Sequence, residues 1–440
     1  MRLSGWGRFP VAECRVVTPR SEAELRAAIT AGPSIARGMG RAYGDSALNR
    51  NATIRMSAFR HMLSFDAERG VLAAEAGVTI GEIIDAFLPR GWFPSVTPGT
   101  KFVSLGGAIA ADVHGKNHHR HGSFGAFVEW VDVMGKDGVT RRCSREENTD
   151  LFAWTVGGMG LTGIILRAAI RLTPVESAWI RQRSAPAANL GEAMRIFEQS
   201  ADATYSVAWI DCLAKGDDLG RSIVLTGEHV RRDELDVSRR YEPFRTPARR
   251  KLTTPFDAPG WALNQWSVRA FNALYWARGS KGARETLVDW DSYFYPLDSI
   301  HEWNRIYGRR GFAQYQCVLP LKSSRAGLEE LLTAISAAGQ GSFLAVLKRM
   351  GPQESRFSFP MEGYTLALDF PAHEKALALM DHLDRITLAH GGRFYLAKDS
   401  RMARATFEAS DLRVAAFRSR RSGDGSGASF SSLQSERLGL

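Results

Sequence analysis

Residues 97–125, TPGTKFVSLGGAIAADVHGKNHHRHGSFG, hold the densest set of groups able to do chemistry. Glycines at 99, 106, 107 and 115 punctuate a run of alanines and β-branched residues, and His114, His118, His119 and His121 close it. Glycine lets a backbone approach a ligand closely and turn through positive φ. Successive N–H groups in such turns can surround a phosphate. One reading is a loop wrapped round a phosphorylated cofactor, with His114 or Lys116 near its charge; the other is a Gly-rich turn with a solvated histidine cluster. No carboxylate or cysteine stands at zinc-like spacing from these histidines, so no metal site is expected.

Two more glycine loops flank this one. Residues 36–46, ARGMGRAYGDS, follow a short strand-like SIA, and they end in neither the GK[ST] of a Walker loop nor a GxGxxG. Residues 156–165, VGGMGLTGII, do contain Gly158-x-Gly160-x-x-Gly163. A Rossmann turn needs a strand before that motif and a helix after it. Here a helical DLFAWTV precedes and a β-branched run follows, so the order is inverted. Three such loops together suit an extended dinucleotide lying across one domain.

The elements that must position these loops can be read from local signals. Ser21–Glu24, Thr79–Glu82 and Asn189–Glu192 are capping boxes opening helices. Between them lie strand-like runs at 52–57, 71–75, 128–134 and 161–172, and Asp137-Gly138 turns into a return strand at 139–142. Residues 1–175 therefore read as α+β. After Pro174 the pattern changes. WIRQRS and VAWIDCL read as strands, and 229–282 is basic, Pro-punctuated and rich in aromatics, among them Tyr241, Phe256, Trp261, Trp266, Phe271 and Tyr275. That segment is either a lid that seeks an interface or a helical excursion packed in the core. FAQYQCVL at 312–319 alternates and puts Gln314 and Gln316 on one face, followed by a helix through Leu328 and Ile335. SFLAVLKRM and GYTLALDFP read as strands, and a helix carrying Leu379, Leu383 and Ile386 stops at Gly391. RFYLAKDS reads as a last strand bringing Lys398 forward; the 418–432 tail reads as a loop, with FSSLQSERLGL able to dock.

Composition narrows the function classes. The chain has 440 residues, long enough for two domains, and its four cysteines are scattered with no CxxC pair. No run reaches the roughly 20 apolar residues of a membrane span, and MRLSGWGRFP has no secretory h-region. A cytoplasmic location or the inner membrane face is expected. The net charge is +10 and the pI about 9.6. No nucleic-acid signature accompanies that charge, so an anionic lipid surface is the better partner class.

Taken together, ARGMGRAYGD, TPGTKFVSLGGAIAADVHGKNHHRHGSFG, VGGMGLTGII and YLAKDSR resemble the FAD-dependent oxidases of the vanillyl-alcohol oxidase/PCMH superfamily, and within it the branch that oxidises polyprenylphosphoryl-ribose. The resemblance implies that Arg37, Gly38, Met39, Gly40, Arg41, Ala42 and Tyr43 hold the pyrophosphate and flavin edge of FAD. Thr97, Pro98, Gly99, Thr100, Leu105, Gly106, Gly107, Ala108, Ala111, His114, Gly115 and Asn117 would form a second wall, with Gly160, Thr162, Gly163 and Ile164 near the adenosine. His114, Lys398 and Tyr395 correspond to active-site residues, Tyr395 also lying against the cofactor. His114, Lys116, Gln314, Gln316, Lys348, Thr365, Ala367 and Lys398 would line the substrate pocket. A cation such as Lys398 can stabilise charge developing on a reduced flavin, and Lys398 and Tyr395 are candidate proton acceptors. Relatives with covalent FAD carry a histidine where Arg41 stands, so the FAD here is expected to be non-covalent. Mycobacterial relatives carry cysteine at the place of Ala367 and asparagine at the place of Thr365.

The implied fold is two-domain α+β: a PCMH-type FAD-binding domain at 1–176 completed by 393–440, and an antiparallel-sheet substrate domain at 177–392 with a basic aromatic lid at 229–282. The implied reaction oxidises the 2-hydroxyl of a polyprenylphosphoryl-β-D-ribose to the 2-keto sugar. A separate short-chain reductase would finish the epimerisation, and the aromatic segment would touch the membrane. The alternatives are a soluble aldonolactone or alditol oxidase, and a flavin-free membrane-binding scaffold.

Overall fold

The computed structural model describes residues 1–259, 263–342 and 344–440; Trp261 of the expected lid and Phe343 of one expected strand lie outside them. Near the N-terminus, β1 (Val16–Val17), β2 (Ile35–Arg37) and β3 (Thr53–Arg55) make a parallel sheet in the order β1-β3-β2. Helix α1 (Glu22–Thr30) crosses it; Ser21 caps the first turn, and Leu25 and Ile29 are buried. An antiparallel sheet follows, built from β4 (Met62–Asp66), β5 (Val71–Glu75), β6 (Trp92–Pro94), β7 (Val128–Met134), β8 (Thr140–Ser144) and β9 (Ile164–Pro174). Its order is β8-β7-β9-β5-β4, with β6 paired to the end of β9. β9 runs through the middle, and Ile164, Ile165, Leu166, Ala168, Ala169 and Ile170 are all buried. That near-continuous apolar run is what a strand covered on both faces requires. Helices α2 (Ile80–Phe87) and α3 (Leu105–Ala110) pack on the sheet, α2 behind a complete Thr79–Glu82 capping box.

The second sheet is larger and wholly antiparallel: β10 (Trp179–Ala187), β11 (Tyr205–Ile210), β12 (Ser222–His229), β13 (Arg284–Asp289), β14 (Phe312–Pro320), β15 (Val346–Met350), β16 (Gly363–Pro371) and β17 (Arg393–Phe394). The order is β13-β10-β12-β11-β15-β16-β14-β17. Side chains alternate across a strand, so one face takes every second residue. On β14, Ala313, Tyr315, Cys317 and Leu319 join the core with Leu366, Leu368 and Phe370 of β16. Helices α4 (Leu190–Gln199), α6 (Leu321–Ala338) and α7 (Glu374–Ala389) cover that face through Phe197, Leu328, Leu331, Leu332, Ile335, Leu379, Leu383 and Ile386. The other face carries Gln314 and Gln316, and the register pairs Gln314 with Asp369 and Gln316 with Ala367.

Three expectations are corrected. The 229–282 segment contains α5 (Gln265–Gly279), whose Val268 and Asn272 are buried while Trp266, Phe271 and Leu274 are exposed. The helix covers only part of the segment and turns Trp266 and Phe271 outward, whereas Phe244, outside it, packs against the core of the first sheet. The tail is helical as well: α8 (Val414–Gly423) buries Phe417 between Trp154 and Phe357, and the buried Arg421 donates to the carbonyls of Leu161 and Phe430. Tertiary contacts supply there what a Ser/Gly/Arg composition lacks. Finally, β17 ends at Phe394, and Tyr395–Asp399 is a turn closed by Lys398 N–H and Asp399 N–H on the Tyr395 carbonyl. Lys398 stands on a turn.

Candidate active site

The loop after β2 is held from below. Trp6 and Gly7 donate to the carbonyls of Ala42 and Tyr43, and Tyr43 donates to Ala397. A Cβ at Gly44 would lie 2.1 Å from the Asp399 carbonyl, so only glycine lets this loop meet the Lys398 turn. Helix α9 (Leu433–Leu438) bolts the two together: Arg437 reaches Asp45 at 2.8 Å and Asp399 at 2.9 Å. Within the loop, the N–H groups of Gly38, Met39, Gly40, Arg41 and Ala42 meet no acceptor among the described residues. A run of free N–H groups is a nest for an anion. The N-terminus of α3 offers no such site, because Leu105, Gly106 and Gly107 donate to Val78, Ala76 and the Ser104 hydroxyl.

These loops form one side of a cavity of about 660 Å³, and the open face of the larger sheet forms the other. Most of the site residues expected from the sequence line it: 38–43 from the first loop, Thr97, Pro98, Gly99, Thr100, Gly106, Gly107, Ala111, His114, Gly115 and Lys116 from the second, and Gly160 and Gly163 from the third. Gln314, Gln316, Lys348, Ala367, Tyr395 and Lys398 complete the wall. Seven others stand outside it. The Arg37 guanidinium donates to Ser4 at 2.7 Å. Leu105 and Ala108 lie on the core side of α3, on a different face from the cavity-lining Gly106, Gly107 and Ala110. Asn117 donates to Ser95, and Thr162 pairs with Thr155. Ile164 points to the core and its neighbour Ile165 reaches the cavity. Thr365 sits behind Gln316, receiving its amide at 3.2 Å and donating to Cys317 at 2.8 Å.

The centre is rich in cationic side chains deprived of water. Lys398 lies 3.7 Å above the Tyr43 ring, and burial pushes its ammonium pKa down while Asp369 pulls it back up. Burial lowers Lys348 to about 8. Lys116 falls to about 7 through burial and the nearby Lys348; it donates to the Tyr293 carbonyl and lies 4.1 Å over that ring. His114 is buried, with Nδ1 3.3 Å from Lys348 Nζ and Nε2 3.0 Å from the Gln316 amide. Burial and Lys348 hold it well below the usual imidazole range, so it is neutral at pH 7. Of the remaining histidines His118 is buried, His119 half-buried and His121 exposed. His118 pairs with Gln353 at 2.7 Å, His119 with the Ala203 carbonyl at 2.8 Å and His121 with Asn117, pinning the loop to its surroundings. Among the described residues no group of three His, Cys, Asp or Glu is placed to hold a metal.

Sequence reasoning missed several wall residues. Asp369 and Val346 follow from strand alternation with Ala367 and Lys348, a signal present in the sequence. Trp6, Phe102, Trp209, Tyr275, Asp298 and Trp303 come from distant segments and leave no local signal. Arg41 is stacked between Trp6, at 4.1 Å, and Phe102, at 5.0 Å.

The donor set fits FAD: free N–H groups for a pyrophosphate, glycine-lined walls for a flat ring system, and cations where a reduced ring gathers charge. A Cβ at Gly38 would fall 2.0 Å from the Ser104 hydroxyl, so that backbone is cleared for close approach. Residues 14–144 match the FAD binding domain family. Over its whole length the chain is 37% identical to decaprenylphosphoryl-beta-D-ribose oxidase of Mycolicibacterium smegmatis, covering 97% of that protein. About a third of the chain is 26% identical to L-gulonolactone oxidase of Scyliorhinus torazame, and another alignment of similar extent is 33% identical to cytokinin dehydrogenase 5 of Arabidopsis thaliana. With a glycine-walled, lysine-rich cavity behind that likeness, the chain belongs to the family of FAD-dependent oxidoreductases that includes decaprenylphosphoryl-β-D-ribose oxidase.

Proposed function

We propose that the protein oxidises the 2-hydroxyl of a polyprenylphosphoryl-β-D-ribose to the 2-keto sugar. The observation that carries the reading is the full-length likeness to an oxidase of that name, joined to a cavity whose wall gathers Lys116, Lys348, Lys398 and a neutral His114. FAD, when bound, supplies the two-electron acceptor. The protein orients and stabilises. Lys398 places a cation at the junction of the cofactor loops and the sheet, where negative charge gathers during reduction. Lys348 and Lys116 offer donors for the sugar hydroxyls and phosphate, and His114, held between Lys348 and the Gln316 amide, fixes the wall between them.

In this reading residues 1–176 and 393–440 serve the cofactor, and 177–392 supplies the substrate wall. The FAD is bound without a covalent link, since Arg41 occupies the tethering position and its guanidinium is stacked between two rings. The exposed Trp266, Phe271 and Leu274 of α5 support a peripheral contact with the membrane holding the prenyl tail, because Tyr275 of the same helix lines the cavity. Among the described residues no helix is long and apolar enough to cross a membrane. A short-chain reductase then acts on the ketone.

The test is an anaerobic visible spectrum before and after adding a short-chain prenylphosphoryl-ribose. Bleaching of the flavin bands supports substrate class and reaction. Bleaching by free alditols or aldonolactones alone moves the assignment to a soluble sugar oxidase. Acid precipitation of the same sample should leave the yellow colour in the supernatant; colour in the pellet refutes the non-covalent reading.

A further inference from the structure

Alcohol oxidation releases a proton as well as two electrons, and Tyr395 and His114 are poorly placed to receive it. The Tyr395 hydroxyl donates to the Ala111 carbonyl at 3.0 Å, and burial raises its pKa far above the usual phenol range. His114 is engaged at both ring nitrogens. Three carboxylates line the cavity. Asp298 accepts the Lys101 backbone N–H at 2.8 Å, and Glu302 is largely exposed and paired with Arg305. The third, Asp369, is buried on the sheet face. Its Oδ1 accepts from Gln314 at 2.5 Å, and its own N–H is held by Ser342 at 3.1 Å.

Two features set Asp369 apart. Lys398 is near enough to act on it electrostatically, yet no ion pair within 4.0 Å joins them among the described residues. Both groups line the same cavity, so an alcohol bound there can reach the carboxylate without displacing an ion-pair partner. Asp369 also lines a second cavity, of about 350 Å³, together with Tyr307, Gln340, Ser342, His373 and the exposed Lys375.

We propose that Asp369 is the catalytic base: it takes the hydroxyl proton of the alcohol and passes it to the second cavity and to solvent. The inference rests on the alcohol-oxidation reading above. The O–H bond would break toward the carboxylate, the hydrogen and electron pair of the carbinol C–H bond would leave to FAD, the two-electron acceptor when bound, and the carbon–oxygen double bond would form. Loss of the proton through the second cavity then restores the carboxylate. Charge balance supports this. Lys398 stays protonated beside the developing flavin charge, which it could not do as the base.

The charged and titratable groups facing Asp369 are Lys398 and Tyr43 from the cofactor side, and Tyr307, His373 and Lys375 from the second cavity. Burial raises the Asp369 pKa; Gln314, Lys398 and Tyr307 lower it. Since the ionised form is the base, flavin reduction should fall as pH drops through that pKa.

Anaerobic rapid mixing across pH 5.5–9 tests the proposal on the flavin-loaded protein. Asp369→Asn should slow bleaching about 100-fold or more, the usual contribution of a positioned base, and erase the acid limb. Tyr307→Phe, which deletes one oxygen, should move that limb to higher pH. Infrared titration gives a readout apart from turnover: a protonated-carboxyl band should grow in as pH falls, and Asp369→Asn should lack it. A bleaching rate within about threefold of wild type with an unchanged pH profile, or a band identical in both proteins, overturns the proposal. If Asp369→Asn loses its flavin, an acid limb unmoved in Tyr307→Phe overturns it equally. Wild type unbleached by the lipid sugar but bleached by an alditol or lactone sinks the substrate reading alone, and Asp369→Asn is then judged with that alcohol.

Discussion

Replacing Lys398 by methionine deletes one positive charge and keeps an unbranched side chain only one atom shorter. A unit charge about 4 Å from developing negative charge, at the effective dielectric of about 20 that fits protein sites, is worth about 4 kcal/mol. That corresponds to about 10³ in rate, the upper end of what losing one electrostatic stabiliser costs. The same energy lowers a two-electron potential by about 85 mV. Lys398→Met should therefore remain yellow, reduce its flavin about 10²–10³-fold more slowly in anaerobic rapid mixing, and show a more negative flavin potential. Folding should survive, since the ammonium is held over the Tyr43 ring and makes no ion pair within 4.0 Å among the described residues. The sign of the pH dependence follows from the same geometry. Burial lowers the Lys398 pKa, the protonated form is the useful one, and the rate falls as pH rises through it. Lys398→Arg keeps its charge at high pH, so its alkaline limb should vanish from the accessible range. A Lys398→Met protein with rate and potential both near wild type would falsify the assignment.

Two further predictions concern the scaffold. Gly38→Ala places a methyl group 2.0 Å from the Ser104 hydroxyl that caps α3, so the protein should purify with little flavin; adding Ser104→Gly removes the obstruction and should restore colour, and a Gly38→Ala single variant with full flavin content refutes the close-approach argument. Arg437→Met strands two buried carboxylates, Asp45 and Asp399, and should cost about 3 kcal/mol of stability in urea unfolding, together with weaker FAD retention; unchanged stability would mean that α9 does not clamp the two loops.

Local chemistry made much of this protein legible in its sequence. N-caps at Ser21, Thr79 and Asn189, alternation in FAQYQCVL and glycine at turns depend on neighbours a few residues apart, and helices and strands form where those signals lie. The inverted order round Gly158–Gly163, helix before and strand after, was equally readable. The tertiary structure decided what distance along the chain conceals. It separated Ile165 from Ile164 and Gly106 from Leu105, one facing the cavity and the other the core. It turned the 418–423 tail into helix by burying Phe417 and Arg421, and moved Lys398 from a strand to a turn clamped by Arg437. It also brought Asp369 opposite Gln314 and within the field of Lys398 through pairing across 55 residues of sequence. Periodicity fixes which residues share a face of one element. Which elements meet, and so which buried charges share a cavity, is set only when the sheets pack.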